Sequence, residues 1–195
     1  MFEDEIQKLE RKIARIKNHE DLVVFYGSSS IRLWVKIEED LAPLNVINLG
    51  FGGSSFEWMS HYYHRVFKDL HPAQVVLYGG DNDISNGSSA LQIAHDFIRI
   101  KDQIESRYPK AAIHGMTIKP SPAREPLFAK TREANQLLKK TLTMGDKIRQ
   151  INVFDAMLAA DGKVNPELFM ADQLHMNRKG YDIWTSVVRE YFQLD

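Results

Sequence analysis

Four apolar runs punctuate the chain: LVVFYG over residues 22–27, NVINLG over 45–50, QVVLYGG over 74–80 and AAIHGMTI over 111–118. Val, Ile, Leu, Tyr and Phe dominate them, and polar and apolar positions hardly alternate. Strands covered on both faces look like this, because neither side-chain direction meets water. A weaker run, INVFDA over 151–156, is read as a fifth strand. Between the runs, apolar residues recur with helical period over 31–41, 56–70, 89–107, 126–143 and 178–193. In the third of these they are Leu91, Ile93, Ala94, Phe97, Ile98, Ile100 and Ile104. Strand and helix alternate from end to end, which predicts an α/β fold with a doubly wound sheet.

The start of the chain is different. Phe2, Ile6, Leu9, Ile13 and Ile16 are spaced 4, 3, 4 and 3 apart. That stripe predicts an amphipathic helix over residues 1–19 that packs on its own domain. A homodimer contact is the alternative, but the stripe is too short for a coiled coil. With 195 residues the expectation is one domain spanning 1–195. The Pro-rich stretch KPSPAREP, 119–126, is read as a loop after the fourth strand.

Composition narrows the function. A net charge of −1 exerts no strong pull on nucleic acid or an anionic membrane, so neither is an expected partner. The absence of cysteine removes disulfides and thiolate metal sites and fits a reducing compartment. The N-terminal residues MFEDEIQKLERKIARIKNHE are densely charged and lack the apolar core of a secretory signal. No run approaches the ~20 apolar residues that span a bilayer. The expected location is therefore cytoplasmic, although a chain whose leader had been removed would look the same.

In open α/β sheets, ligands bind beyond the carboxyl ends of the strands. The first three strands are followed there by Gly27-Ser28-Ser29-Ser30, by Asn48-Leu49-Gly50-Phe51-Gly52-Gly53-Ser54-Ser55, and by Gly79-Gly80-Asp81-Asn82-Asp83. Asp172-Gln173-Leu174-His175 precedes the last helix. Taken singly, each has a plainer explanation: glycines permit tight turns, Asn82 and Asp172 serve local turns, and His175 is a surface histidine. Their recurrence at successive strand ends favours a single site.

The residue types suit acyl transfer. A serine hydroxyl attacks a carbonyl only when a base takes its proton. His175 can serve, since imidazole titrates close to neutrality. Asp172, three residues earlier, can reach the same ring and fix its tautomer. The oxyanion needs fixed donors. Candidates are the nucleophile's own N–H, an N–H of the Gly52-Gly53 turn and the Asn82 amide. Among the serines, Ser30 opens the next helix and reads as its N-cap.

These four segments, in this order, resemble the SGNH, or GDSL-type, hydrolase superfamily of esterases and lipases, and most of all bacterial relatives of platelet-activating-factor acetylhydrolase subunits. Gly80-Asp81-Asn82-Asp83 matches the family's Gly-x-Asn-Asp in full, and Asp172-Gln173-Leu174-His175 matches its Asp-x-x-His. The first block, normally Gly-Asp-Ser, is Gly27-Ser28-Ser29 here, so Ser28 stands at the usual Asp position. The resemblance implies a five-stranded parallel sheet in flavodoxin-like order 2-1-3-4-5. It also implies Ser29 as nucleophile, His175 as base and Asp172 as its orienter. The oxyanion hole would be the N–H groups of Ser29 and Gly53 with the Asn82 side chain. The implied reaction cleaves a small carboxylic ester through an acyl-enzyme that needs no metal or cofactor, and a short acyl group is expected because the 195 residues show no long apolar lid insertion. A sugar O-acetyl esterase, a lysophospholipase or a thioesterase would use the same site, and a non-catalytic binding module would share the fold.

Rival readings fare worse. The α/β-hydrolase elbow needs Gly-x-Ser-x-Gly, and Ile31 stands two residues after Ser29. No Lys follows the serines, so there is no P-loop. Gly50-Phe51-Gly52 starts a dinucleotide fingerprint, but its sixth position is Ser55 and it follows the wrong strand. His61 and His64 share a helix face but lack a third metal ligand in sequence. His61, His64, His19, His71 and His95 read as surface or packing residues and His114 as a hydrogen-bonded core residue. Loops 54–60, 83–89 and 119–128 are the expected pocket walls. Trp34, Phe51, Phe56, Trp58 and Met59 read as core, with an acyl-site lining as the alternative.

Overall fold

The computed structural model describes residues 2–16, 20–142 and 148–195. The four strong apolar runs are strands β1 (Val23–Gly27), β2 (Val46–Gly50), β3 (Gln74–Tyr78) and β4 (Ala112–Met116). With β5 (Ile148–Ile151) they form one parallel sheet in the order β2-β1-β3-β4-β5. The helices among the described residues are α1 (Glu3–Ile13), α2 (Ser29–Arg32), α3 (Ile37–Asp40), α4 (Phe56–Val66), α5 (Asp81–Ser85), α6 (Ala90–Arg107), α7 (Phe128–Leu142), α8 (Val153–Ala156) and α9 (Arg178–Phe192). None is long and apolar enough to cross a membrane.

The missing alternation now has its reason. In β1, Val24 and Tyr26 enter one core while Val23 and Phe25 enter another on the opposite face. β3 divides the same way, Val75 and Leu77 against Val76 and Tyr78. One core is closed by α1, α4, α6 and α7, through residues such as Leu9, Tyr63, Phe97 and Leu138. The other is closed by α2, α3, α8 and α9, through Ile31, Ile37, Val153 and Trp184. Each large apolar side chain fully buried this way contributes about 1.5–3 kcal/mol of transfer free energy.

The N-terminal stripe packs on its own chain: Ile6, Leu9 and Ile13 are buried, with Phe2 and Ile16 against the same core. The helix is shorter than the pattern suggests, and residues 1 and 17–19, His19 among them, lie outside the described residues. His114 sits buried in β4, with Nδ1 2.8 Å from Tyr191 Oη and Nε2 2.9 Å from Gln74 Oε1. Burial, helped by Arg149, lowers its pKa to about 4.

Three sequence expectations need correction. The fifth strand is Ile148–Ile151, and most of the INVFDA run is instead α8. The strand stops because Asn152 caps that helix, its side chain accepting from the Asp155 N–H, while Thr117 Oγ1 accepts from the N–H groups of Val153 and Phe154. As a sheet-edge strand, β5 carries Arg149 and Gln150, which an apolar pattern does not register. The expected helix 31–41 is two short ones, α2 and α3. The helix expected over 126–143 is preceded by a 3-10 turn, Pro122–Leu127, and residue 143 lies outside the described residues.

Candidate active site

The parallel register brings the strand ends together. Gly27 pairs with Gly50 on one side and Tyr78 on the other. The chain then continues the pairing: Phe51 N–H donates to Gly27 O at 3.0 Å and Ser28 N–H to Tyr78 O at 3.2 Å. Ser28 O accepts from the N–H groups of Ile31 and Arg32, so backbone bonds hold the turn before Ser29. The Ser28 side chain makes no cap bond. Ser28, not Ser30, occupies the N-cap position. Ser30 is buried inside α2, where its carbonyl accepts from Tyr181 Oη at 2.8 Å. α2 lies so close over β2 that a Cβ on Gly50 would stand 2.2 Å from Arg32 N. Glycine is what lets the helix carrying Ser29 sit there.

Ser29 begins α2 and its Oγ lies 3.0 Å from His175 Nε2. His175 Nδ1 lies 2.7 Å from Asp172 Oδ2. The other carboxylate oxygen, Asp172 Oδ1, accepts from the N–H groups of Leu174 and His175 at 3.0 and 2.9 Å. Asp172 therefore does both things the sequence allowed: one oxygen ties the local turn and the other takes the imidazole. Gln173, at φ 56°, provides the left-handed residue that closes this turn. Met170 N–H donates to His175 O at 2.7 Å and anchors the loop. The His175 bond, followed by the two backbone N–H bonds, lowers the Asp172 pKa to about 2. The side chains of His175 and Asp172 are 27% and 49% exposed, so the chain of hydrogen bonds opens to solvent.

Beside Ser29 itself, the candidate oxyanion donors lie on the neighbouring loops. Asn82, at the start of α5, donates one amide N–H to Ser54 O at 2.9 Å, and its second amide N–H has no acceptor among the described residues. The N–H groups of Ser29 and Gly53 have no intramolecular acceptor among the described residues. The Gly52 N–H, the other candidate in that turn, is taken by Glu5 Oε2 at 2.7 Å. Geometry thus separates two glycines that chemistry alone left equivalent.

Two groups at this edge play structural parts that the sequence does not show: Asp83, present in the motif but without an assigned part, and Lys119. Asp83 is buried and binds two loops at once: Oδ1 accepts from Phe56 N–H and Oδ2 from Gly80 N–H, both at 3.1 Å. Gly80 has φ 101°, a conformation that favours glycine. Burial raises the Asp83 pKa to about 6, against the pull of those N–H bonds. Lys119 is also buried, its Nζ 3.1 Å from Asp81 Oδ2. A lone lysine after an apolar strand carries no sign that it turns inward. The expected wall aromatics are mostly core: Trp34, Phe51, Phe56 and Met59 are buried, and Trp58 is partly so. His61 lies edge-on to Trp58 and Tyr62, His64 edge-on to Tyr63, and His95 beside Asp96.

Comparison with known proteins agrees with this architecture. The rat platelet-activating factor acetylhydrolase IB subunit alpha2 is 27% identical over 179 residues, covering 88% of this chain and 76% of that one. A GDSL-like lipase from Bacteroides thetaiotaomicron superposes with a TM-score of 0.81 at 19% identity, over 96% of this chain and 97% of that chain. A mutant acetyl-xylooligosaccharide esterase from Geobacillus Stearmophilus gives 0.74 at 12% identity, over 90% and 95%. The profile of the GDSL-like Lipase/Acylhydrolase family matches residues 22–183, which span all four glycine- and histidine-bearing segments. The chain belongs to that family and is an ester-hydrolysing enzyme.

Proposed function

We propose that the protein is a serine esterase that cleaves a small carboxylic ester through an acyl-enzyme on Ser29. The observation that carries this reading is the continuous Ser29–His175–Asp172 hydrogen-bond chain. His175 Nε2 takes the Ser29 proton as Oγ attacks the ester carbonyl, and Asp172 holds the Nδ1–H and stabilises the imidazolium. The carbonyl oxygen becomes an oxyanion, met by the N–H groups of Ser29 and Gly53 and the free Asn82 N–H. Collapse breaks the ester bond, and His175 returns the proton to the leaving alcohol. Water, deprotonated by His175, then attacks the acyl carbonyl. The acid leaves and Ser29 regains its proton.

Two of the similar proteins are named for acting on acetyl groups, one on platelet-activating factor and one on xylooligosaccharides. This supports a short acyl group as the substrate class. Hydrolysis of aryl acetate, butyrate and octanoate by the wild type and by Ser29→Ala tests the reading. Acetate or butyrate should be turned over fastest, with loss of turnover in Ser29→Ala. Preference for octanoate would refute the short acyl group, and full activity in Ser29→Ala would refute the nucleophile.

A further inference from the structure

The part of the chain before the family-matched span reaches into the site. α1 lies N-terminal to residue 22, where the match begins, yet its Glu5 Oε2 accepts the Gly52 N–H at 2.7 Å. The same oxygen is 3.8 Å from Arg32 Nε. Arg32 ends α2, the helix that Ser29 begins, and its guanidinium lies beside Gly52, with Nε, Nη2 and Cζ 3.0–3.3 Å from where a Cβ would stand. Glu5 thus joins the Gly52-Gly53 turn to the serine helix. From the same end of α1, the Phe2 ring packs on Phe51 and Trp58 at 5.4 and 5.5 Å and lies 3.7 Å from a Cβ position on Gly53.

α1 is itself firmly placed. Ile6, Leu9 and Ile13 are buried, and Arg65 of α4 clamps Glu3 at 2.8 Å and Glu10 at 2.9 Å. α4 starts three residues after Gly53, so the turn is held between α1, α2 and α4.

We propose that Glu5 is a positioning residue for the oxyanion turn: its carboxylate holds the Gly52 N–H so that the Gly53 N–H stays aimed at the reacting carbonyl. This rests on the Ser29 esterase reading. A carboxylate acceptor makes a stronger, shorter bond to an N–H than a neutral one. It also removes the adjacent Gly52 N–H from competition for the oxyanion. Glu5 touches no reacting atom; it acts through the Gly52 peptide.

The test compares Glu5→Ala, Glu5→Gln and Leu9→Ala with the wild type, by kcat, KM, thermal midpoint and amide exchange at Gly52 and Gly53. A reacting group misplaced by about 1 Å costs about 10²-fold, so loosening a brace one step removed should cost about tenfold in kcat. Glu5→Ala should show that loss with little change in KM, together with faster exchange at Gly52. Glu5→Gln, which keeps an acceptor oxygen, should recover most of both. Leu9→Ala should lower the thermal midpoint without the kcat loss. Wild-type kcat in Glu5→Ala, Gly52 exchange unchanged by it, or an equal kcat loss in Leu9→Ala would overturn the proposal. Ester turnover that survives Ser29→Ala would instead overturn the esterase reading, while Gly52 exchange would still report on the brace.

Discussion

His175 Nε2 and Ser29 Oγ lie 3.0 Å apart, although 146 positions separate the two residues in sequence. The contact is set by how α9 docks. Tyr181 Oη donates to Ser30 O at 2.8 Å, one residue beyond Ser29, and the Tyr181 ring stacks on Trp34 at 5.7 Å. Arg178, in the first turn of α9, reaches both oxygens of Asp40 in α3, at 2.8 and 2.9 Å. These bonds fix α9, which begins three residues after His175, against α2, the helix that starts with Ser29, and against α3.

Asp172→Asn should leave the fold intact and lower kcat by about 10³–10⁴, the scale seen when a triad acid is lost. An amide cannot hold the Nδ1–H with a charge, and its NH₂ favours the wrong tautomer. Steady-state turnover of an activated ester checks this. A loss smaller than tenfold would mean that Asp172 serves only the local turn.

Asn82→Ala should lower kcat by about 10²–10³, the cost of one oxyanion donor. It also removes the bond to Ser54 O, so part of the effect passes through the Gly53-Ser54 peptide. A change confined to KM would reassign Asn82 to substrate binding.

Asp83 and His114 should shape the acid limb of stability with opposite signs. The Asp83 pKa is raised to about 6, so between about pH 4 and 6 the folded state binds a proton that the unfolded state lacks, and stability falls as pH rises. The His114 pKa is lowered to about 4, so below about pH 6.5 the unfolded state binds the extra proton, and stability falls as pH drops. Asp83→Asn removes the first slope. Its urea midpoint should climb more steeply from pH 4.5 to 6 than that of the wild type. Parallel profiles for the two proteins would contradict the raised Asp83 pKa.

Strands buried on both faces were easy to read, because uninterrupted Val, Ile and Tyr leave little else for residues 22–27 or 74–78 to be. The edge strand β5 was not, because it carries polar Arg149 and Gln150 and the apolar residues beside it belong to α8. Ser29, Asn82, Asp172 and His175 were legible as chemistry because each follows or faces a strand end. What joins the loops was not legible. Glu5 and Lys119 are ordinary charged residues in sequence, Asp83 stands in the Gly-x-Asn-Asp motif without a visible bridging part, and only the folded chain shows Asp83 and Lys119 buried and Glu5 bonded to Gly52. Ser28 belongs here too. It replaces the usual acid of its motif, yet the turn is held by its backbone bonds to Tyr78, Ile31 and Arg32.

The most direct test of the central claim is covalent labelling with a fluorophosphonate, followed by peptide mapping. A single adduct on Ser29, formed in step with loss of esterase activity and absent from Ser29→Ala, is the predicted result. An adduct on Ser28 or Ser30, or none on an active preparation, would contradict Ser29 as the nucleophile.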